Sequence, residues 1–165
     1  MNKKRVAVAF TGPSNSGKTT LIIKVSIELK KRGFKVAIVK HDPQDKAIFD
    51  KEGKDSYKFS NTGANVAVIS PSRTTIFNQQ PSDISYVISM LGEFDFLLVE
   101  GLKTLPLPRI CVQRNEINPA YFEVSDTIAT DGTIDITQLP NSMNTLDLNN
   151  INQIISWIEK NGKEV

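Results

Sequence analysis

A chain of 165 residues with 39% hydrophobic and 23% charged content has the balance of one folded globular domain, which excludes a disordered or fibrous polypeptide. Twenty Lys and Arg against 18 Asp and Glu leave a net charge of +2, too small a bias to imply a nucleic-acid partner. The single cysteine, Cys111, admits no internal disulfide and points to a reducing cytoplasm. No apolar run reaches the roughly 18 residues of a membrane span, and no signal-peptide pattern opens the chain.

In chain order, Asn2 to Arg5 reads as a solvated lead-in to the apolar run VAVAF (6–10). Two similar runs, KVAIV (35–39) and FLLVE (96–100), also lack polar alternation, so all three read as parallel strands covered on both faces. Between the first two, Lys18 to Arg32 places Leu21, Ile22, Val25 and Leu29 at helical spacing, and Gly33 closes the helix. The result is a strand, helix, strand unit with a right-handed crossover.

Further along, DSYKFSNTG (55–63) reads as a short helix ended by Gly63, VAVIS (66–70) as another buried strand and TTIF (74–77) as an edge strand. Pro81 and Ser82 open a helix with Ile84, Val87, Ile88 and Leu91 facing inward, ended by Gly92. RICVQ, TIAT and NTLDL follow as strands, with Cys111 a small core residue in the first. A last helix from about Asn150 to Lys160 carries a stripe of Ile151, Ile154, Ile155 and Ile158, and Trp157 reads as core or dimer packing. The sum is α/β: a doubly wound, mostly parallel sheet of the P-loop NTPase type in a single domain over 1–165.

Directly after the first strand, Gly12, Pro13, Ser14, Asn15, Ser16, Gly17, Lys18, Thr19 and Thr20 match G-x-x-x-x-G-K-[ST], with the strand before and helix after that the motif requires. Glycines let successive backbone N–H groups converge on an anion at the positive end of the helix. Lys18 would reach the β and γ phosphates, and the Thr19 hydroxyl would bind Mg²⁺. The metal needs an acidic partner at a neighbouring strand end. Glu100 supplies one, followed by Gly101 for close approach, and Asp42 in KHD (40–42) offers a second, directly or through water. Lys18, Asp42 and Glu100 are therefore the catalytic candidates. His41 is the only histidine, which rules out a histidine metal cluster, and the polar stretch 43–54 is a candidate substrate or switch loop.

FTGPSNSGKTTL, VAIVKHD, GKDSYKFSNTGA (53–64), FLLVEGLK (96–103) and IATD (128–131) stand in an order that resembles the MobB family, the molybdopterin-guanine dinucleotide biosynthesis protein B. The resemblance covers most of the chain up to about residue 131, and implies a GTP-binding, weakly GTP-hydrolysing homodimer. Such a dimer acts beside MobA, the guanylyltransferase that joins GMP to molybdopterin. By position, 12–20 would bind the phosphates and Thr19 with Glu100 or Asp42 the Mg²⁺. Lys54, Asp55, Ser56, Arg73 and Lys103 would face an anion or the molybdopterin cofactor. Lys54 and Lys103 also fit plain surface lysines, and Asp55 or Ser56 a helix N-cap. Family members often carry a second histidine after KHD and a phenylalanine in VEGFK, where this chain has PQD and Leu102.

The N-K-x-D guanine box of many GTPases is absent, and Asp131 in ATD takes its place as the candidate guanine reader. A β-turn role for TDGT is the competing account. A P-loop small-molecule kinase is the alternative function, but its arginine-rich lid has no counterpart among the scattered Arg5, Arg32, Arg73, Arg109 and Arg114. A partitioning-type ATPase would need an extra lysine where Pro13 and Ser14 stand.

Overall fold

The uninterrupted apolar run at the start of the chain becomes the middle of a sheet because both its faces and both its edges find cover. The computed structural model describes residues 5–165, so most of the lead-in lies outside the described residues. In order the elements are β1 (Val6–Thr11), α1 (Lys18–Lys31), β2 (Val36–Lys40), α2 (Asp55–Ser60), β3 (Val66–Ile69), β4 (Thr74–Phe77) and α3 (Ile84–Met90). Then come β5 (Phe96–Glu100), β6 (Arg109–Val112), β7 (Thr127–Thr130), β8 (Asn144–Asp147), α4 (Ile151–Asn161) and β9 (Lys163–Glu164). The chain gathers into two compact units: the described residues up to His41 with Glu93–Val165, and Asp42–Gly92.

In the first unit the sheet runs β2-β5-β1-β6-β7-β8, all parallel, and β9 adds antiparallel to β1 at Val6 and Ala7. This is the expected doubly wound, mostly parallel sheet. Parallel register brings the carboxyl ends of β1, β2, β5, β6, β7 and β8 to one side, the side on which such folds bind ligands. α1 lays Leu21, Ile22, Val25 and Leu29, and α4 lays Ile154, Ile155 and Ile158, on a core with Val8, Phe10, Leu98, Ile110 and Val112. Trp157 is half-buried against this core. A second cluster joins Cys111, Ile128, Ile134 and Leu139 to the half-buried Tyr121 and Phe122. Each fully buried aliphatic contributes about 2 kcal/mol, which is why runs without polar alternation settle here. Among the described residues no helix is long and apolar enough to cross a membrane.

Some expectations need correction. β2 is an edge strand with Ile38 exposed, not a strand covered on both faces. β3 is not buried: it pairs only with β4 in a two-stranded antiparallel sheet of the second unit, and Ile69 is 82% exposed. α3 starts at Ile84, because the Asp83 carboxylate accepts from Tyr86 N and so caps it, three residues later than Pro81 suggests. Its Leu91 is exposed, while Ile84, Val87 and Ile88 are half-buried. Neither Asp55 nor Ser56 caps α2; Lys54 holds that position, with no side-chain cap. β9 has no sequence signal, being two polar residues that pair because the end of α4 delivers them to β1.

Candidate functional site

Residues 12–17 turn sharply because three of them adopt positive φ: Gly12 at 135°, Asn15 at 61° and Gly17 at 98°. Gly12 is also obligatory for space, since a Cβ there would stand 2.3 Å from the Val112 carbonyl oxygen. The loop is thus pressed against the end of β6. α1 begins at Gly17 without a side-chain cap and with no acid in its first turn. Its leading N–H groups and the positive end of its dipole are therefore not taken up by a side-chain cap or a first-turn carboxylate, which leaves them suited to an anion. Ser16 Oγ, buried within the loop, has no hydrogen-bond partner.

Lys18 Nζ donates to the carbonyls of Gly12 (3.0 Å) and Pro13 (2.5 Å), folding back along the loop. Burial lowers its pKa, against the opposing pull of Glu100, and the positive charges of Lys40 and Lys103 push the same way as burial. Three ammonium groups within electrostatic range of one loop make a field for a polyanion.

Thr19 Oγ1 donates to Glu100 Oε1 at 3.4 Å, so the helix start and the end of β5 bring their oxygens together as the sequence suggests. Among the described residues no three His, Cys, Asp or Glu side chains gather as a metal site. Mg²⁺, which takes one or two protein oxygens and fills the rest of its shell with water and phosphate, fits Thr19 and Glu100. His41 N donates to the Glu100 carbonyl, and Gly101 lies close enough to His41 that an added Cβ would stand 3.1 Å from the His41 Cβ. The lone histidine therefore packs under the turn that carries Glu100.

Asp131 follows β7 with its side chain 12% exposed. Its Oδ1 accepts from Thr133 Oγ1 (2.6 Å) and Thr133 N (3.3 Å), and its Oδ2 from Arg114 Nε (2.6 Å). The Thr133 hydroxyl, followed by Arg114, holds its carboxyl below the ordinary aspartate range. The chain bends at Gly132 with the Asp131 side chain bonded to Thr133, not through a backbone β-turn, and the aspartate lines a cavity. A cavity of about 160 Å³ runs from Gly17 and Thr20 past Lys24 and Arg114 to Asp131 and Asn149. Beside it the hydroxyl of Thr130 is buried and without a partner.

Lys103 Nζ stands 4.1 Å over the Tyr121 ring. The remaining sequence candidates belong to the second unit. Asp42 Oδ2 accepts from the amides of Lys46 and Ala47, each at 2.7 Å. Lys54 is exposed, Asp55 pairs with Lys58 at 3.1 Å, and Ser56 Oγ donates to Asp50 Oδ1. Arg73 closes a turn in which its amide donates to Ser70 Oγ.

Several contributors escaped the sequence reading. Arg109 is 1% exposed, and its guanidinium donates to the carbonyls of Gly101 (2.8 Å), Leu102 (3.0 Å) and Leu105 (3.1 Å), shaping the loop that follows Glu100. Gln113, also fully buried, exchanges hydrogen bonds with the backbone of Asn118. Lys40 and Arg114 sit at or just beyond strand ends, which is the one signal that marks them. Burial raises the Cys111 thiol pKa, in keeping with a core residue.

A phosphate-binding loop between a central parallel strand and an uncapped helix, with a threonine and a strand-end carboxylate in contact, defines a P-loop nucleotide-binding protein. The family described as "Molybdopterin guanine dinucleotide synthesis protein B" matches residues 7–131, and the chain belongs to this MobB family. It is 32% identical over 167 residues to the molybdopterin-guanine dinucleotide biosynthesis adapter protein of Haemophilus influenzae, covering 96% of this chain and 90% of that one. Among solved structures it superposes on molybdopterin-guanine biosynthesis protein B with a TM-score of 0.71 at 24% identity, over 94% and 97% of the two chains. It also superposes on the hydrogenase maturation factor HypB of Archaeoglobus fulgidus, with a TM-score of 0.52 at 18% identity, over 94% and 87%. These last two likenesses concern the fold.

Proposed function

We propose that this chain binds GTP with Mg²⁺ at residues 12–20, hydrolyses it slowly, and acts as an adaptor beside a MobA-type guanylyltransferase in forming the molybdopterin guanine dinucleotide cofactor. Its working form is a cytoplasmic homodimer. The observation that carries the nucleotide reading is the start of α1, where an uncapped helix, a glycine loop pinned under Val112 and the Lys18 ammonium converge. The adaptor role rests on membership of the MobB family.

In the site, Lys18 and the loop amides would stabilise charge on the transferred phosphoryl group, which is most of what such a reaction asks of a protein. Thr19 and Glu100 would hold Mg²⁺, which would supply charge neutralisation to the phosphates. Lys54, Asp55, Ser56, Arg73 and Lys103 are the positions for a further anion or the pterin. Asp131 would read guanine, whose N1–H and N2–H donors adenine lacks.

Titration of the protein with GTP and with ATP in the presence of Mg²⁺, together with phosphate release, tests the reading. GTP preference with slow release supports it. ATP preference overturns it, and ATP-dependent phosphorylation of a small acceptor would install the kinase alternative. Two variants sharpen the assignment. Glu100→Gln is expected to weaken Mg²⁺ affinity in the ternary complex by about tenfold to a hundredfold while metal-free GTP binding persists; an unaltered Mg²⁺ titration removes Glu100 from the metal. Asp131→Asn is expected to lower the preference for GTP over ITP about tenfold, and an unmoved ratio excludes Asp131 from the base pocket.

A further inference from the structure

The hydrogen bonds at Asp131 leave too little room for the base it is expected to read. A carboxylate offers about four acceptor positions, two on each oxygen. Thr133 takes both of those on Oδ1 through its hydroxyl and amide, and Arg114 takes one on Oδ2. Guanine brings two donors, N1–H and N2–H, on one edge, and with Oδ1 filled by Thr133 both must turn to Oδ2, where Arg114 holds one of the two positions. One position remains where two are needed, so one present partner has to leave.

Thr133 is the harder to move. It lies two residues from Asp131 in the same turn, and its hydroxyl also accepts from Asn115 N at 2.8 Å. Arg114 reaches Asp131 from the end of a long side chain that is 42% exposed. Its backbone is fixed on both sides, because Gln113 N donates to Ala129 O and Asn115 N donates to Thr133 Oγ1. The side chain therefore swings from a fixed shoulder. Its destination is close: Nη1 is 3.7 Å from where a Cβ on Gly17 would stand, at the start of α1, and Thr20 and Lys24 line the same cavity. A triphosphate seated in the loop would present its oxygens within the arc of that guanidinium, which binds phosphate as readily as carboxylate.

We propose that Arg114 exchanges counter-ions as nucleotide binds, giving up the Asp131 carboxylate to the guanine edge and taking the polyphosphate beside Gly17. The proposal rests on the reading of Asp131 as the guanine reader. It makes base recognition and phosphate binding one coupled event. A base with a single donor on that edge leaves Arg114 where it is, and a guanine without phosphates pays for displacing the arginine with nothing in return.

The test is Arg114→Met in the full chain, with guanosine and GTP titrated separately in the presence of Mg²⁺. Guanosine is expected to bind about fivefold tighter, because its competitor is gone, and GTP about tenfold weaker, because a charged phosphate partner is gone. Opposite signs are the signature. Both ligands weakening would mean that Arg114 only shapes the site, and both tightening that it only competes; either result overturns the exchange, as does guanosine binding that is unchanged or undetected in both proteins. Arg114→Lys keeps a cation in reach without the planar fork and is expected to lose less GTP affinity than Arg114→Met, so a loss as large as the methionine variant's also counts against the exchange. If Asp131→Asn leaves the GTP to ITP ratio alone, the base reading fails and carries the exchange with it. If that ratio moves while Arg114→Met shifts both ligands in one direction, the exchange alone fails.

Discussion

Lys18→Ala is expected to cut triphosphate affinity several hundredfold while leaving the melting temperature nearly unchanged. The ammonium bonds to the carbonyls of Gly12 and Pro13 and lies where burial already disfavours its charge. A cation held partly out of water gains from an arriving polyanion more than a solvated one does. Removing one side of such a charge contact costs about 3 to 4 kcal/mol, which is several hundredfold in affinity. The fold has little to lose: position 18 is the first residue of α1, and alanine is the better helix former there. Calorimetric titration with Mg²⁺ and GTP, paired with thermal unfolding of the free protein, separates the two effects. Affinity within threefold of the parent protein would mean the phosphates bind elsewhere.

Arg109→Met should produce the largest loss of stability of any single change in the first unit outside its apolar core, about 3 kcal/mol. The side chain is almost fully buried, and its guanidinium satisfies the carbonyls of Gly101, Leu102 and Leu105. Its own amide and carbonyl are engaged by Asp126. Methionine fills much of the volume but donates nothing, so three carbonyls are left in a space water reaches poorly. For a chain of this size the deficit corresponds to a melting point lower by about 10 °C. Urea unfolding monitored by Trp157 fluorescence measures it, and a loss under about 1 kcal/mol would show that the loop after Glu100 stands without this cation.

What could be read in advance follows from how local each signal is. α1 and α4 were legible because their apolar residues recur at helical spacing, β1 and β5 because they are short uninterrupted apolar runs, and the glycine spacing at 12 and 17 names its own backbone. The contact between Thr19 and Glu100 follows from β1, which leads through the loop into α1, lying next to β5 in the sheet. β3 misled because an apolar run states what a strand would like to bury, not how many neighbours it will obtain. Arg109 and Arg114 were passed over for the converse reason. Arginines one and six residues past Pro108 look like surface charges in sequence; the carbonyls of one come from the way the loop just before it folds back, and the carboxylate of the other from the end of the neighbouring strand. The two-residue β9 carries no periodicity at all.

The order of strands has a consequence for synthesis of the protein. β1 (Val6–Thr11) is translated well ahead of the strands on its two sides, β5 and β6, which span residues 96–112. Until those emerge from the ribosome, this apolar strand has neither edge satisfied, and contacts so distant in sequence form slowly. The glycine loop, although read early, can take its shape only once the Val112 carbonyl is there to press on it. The nascent chain therefore carries an exposed, aggregation-prone segment until residues 96–112 have emerged, and the glycine loop is assembled only then.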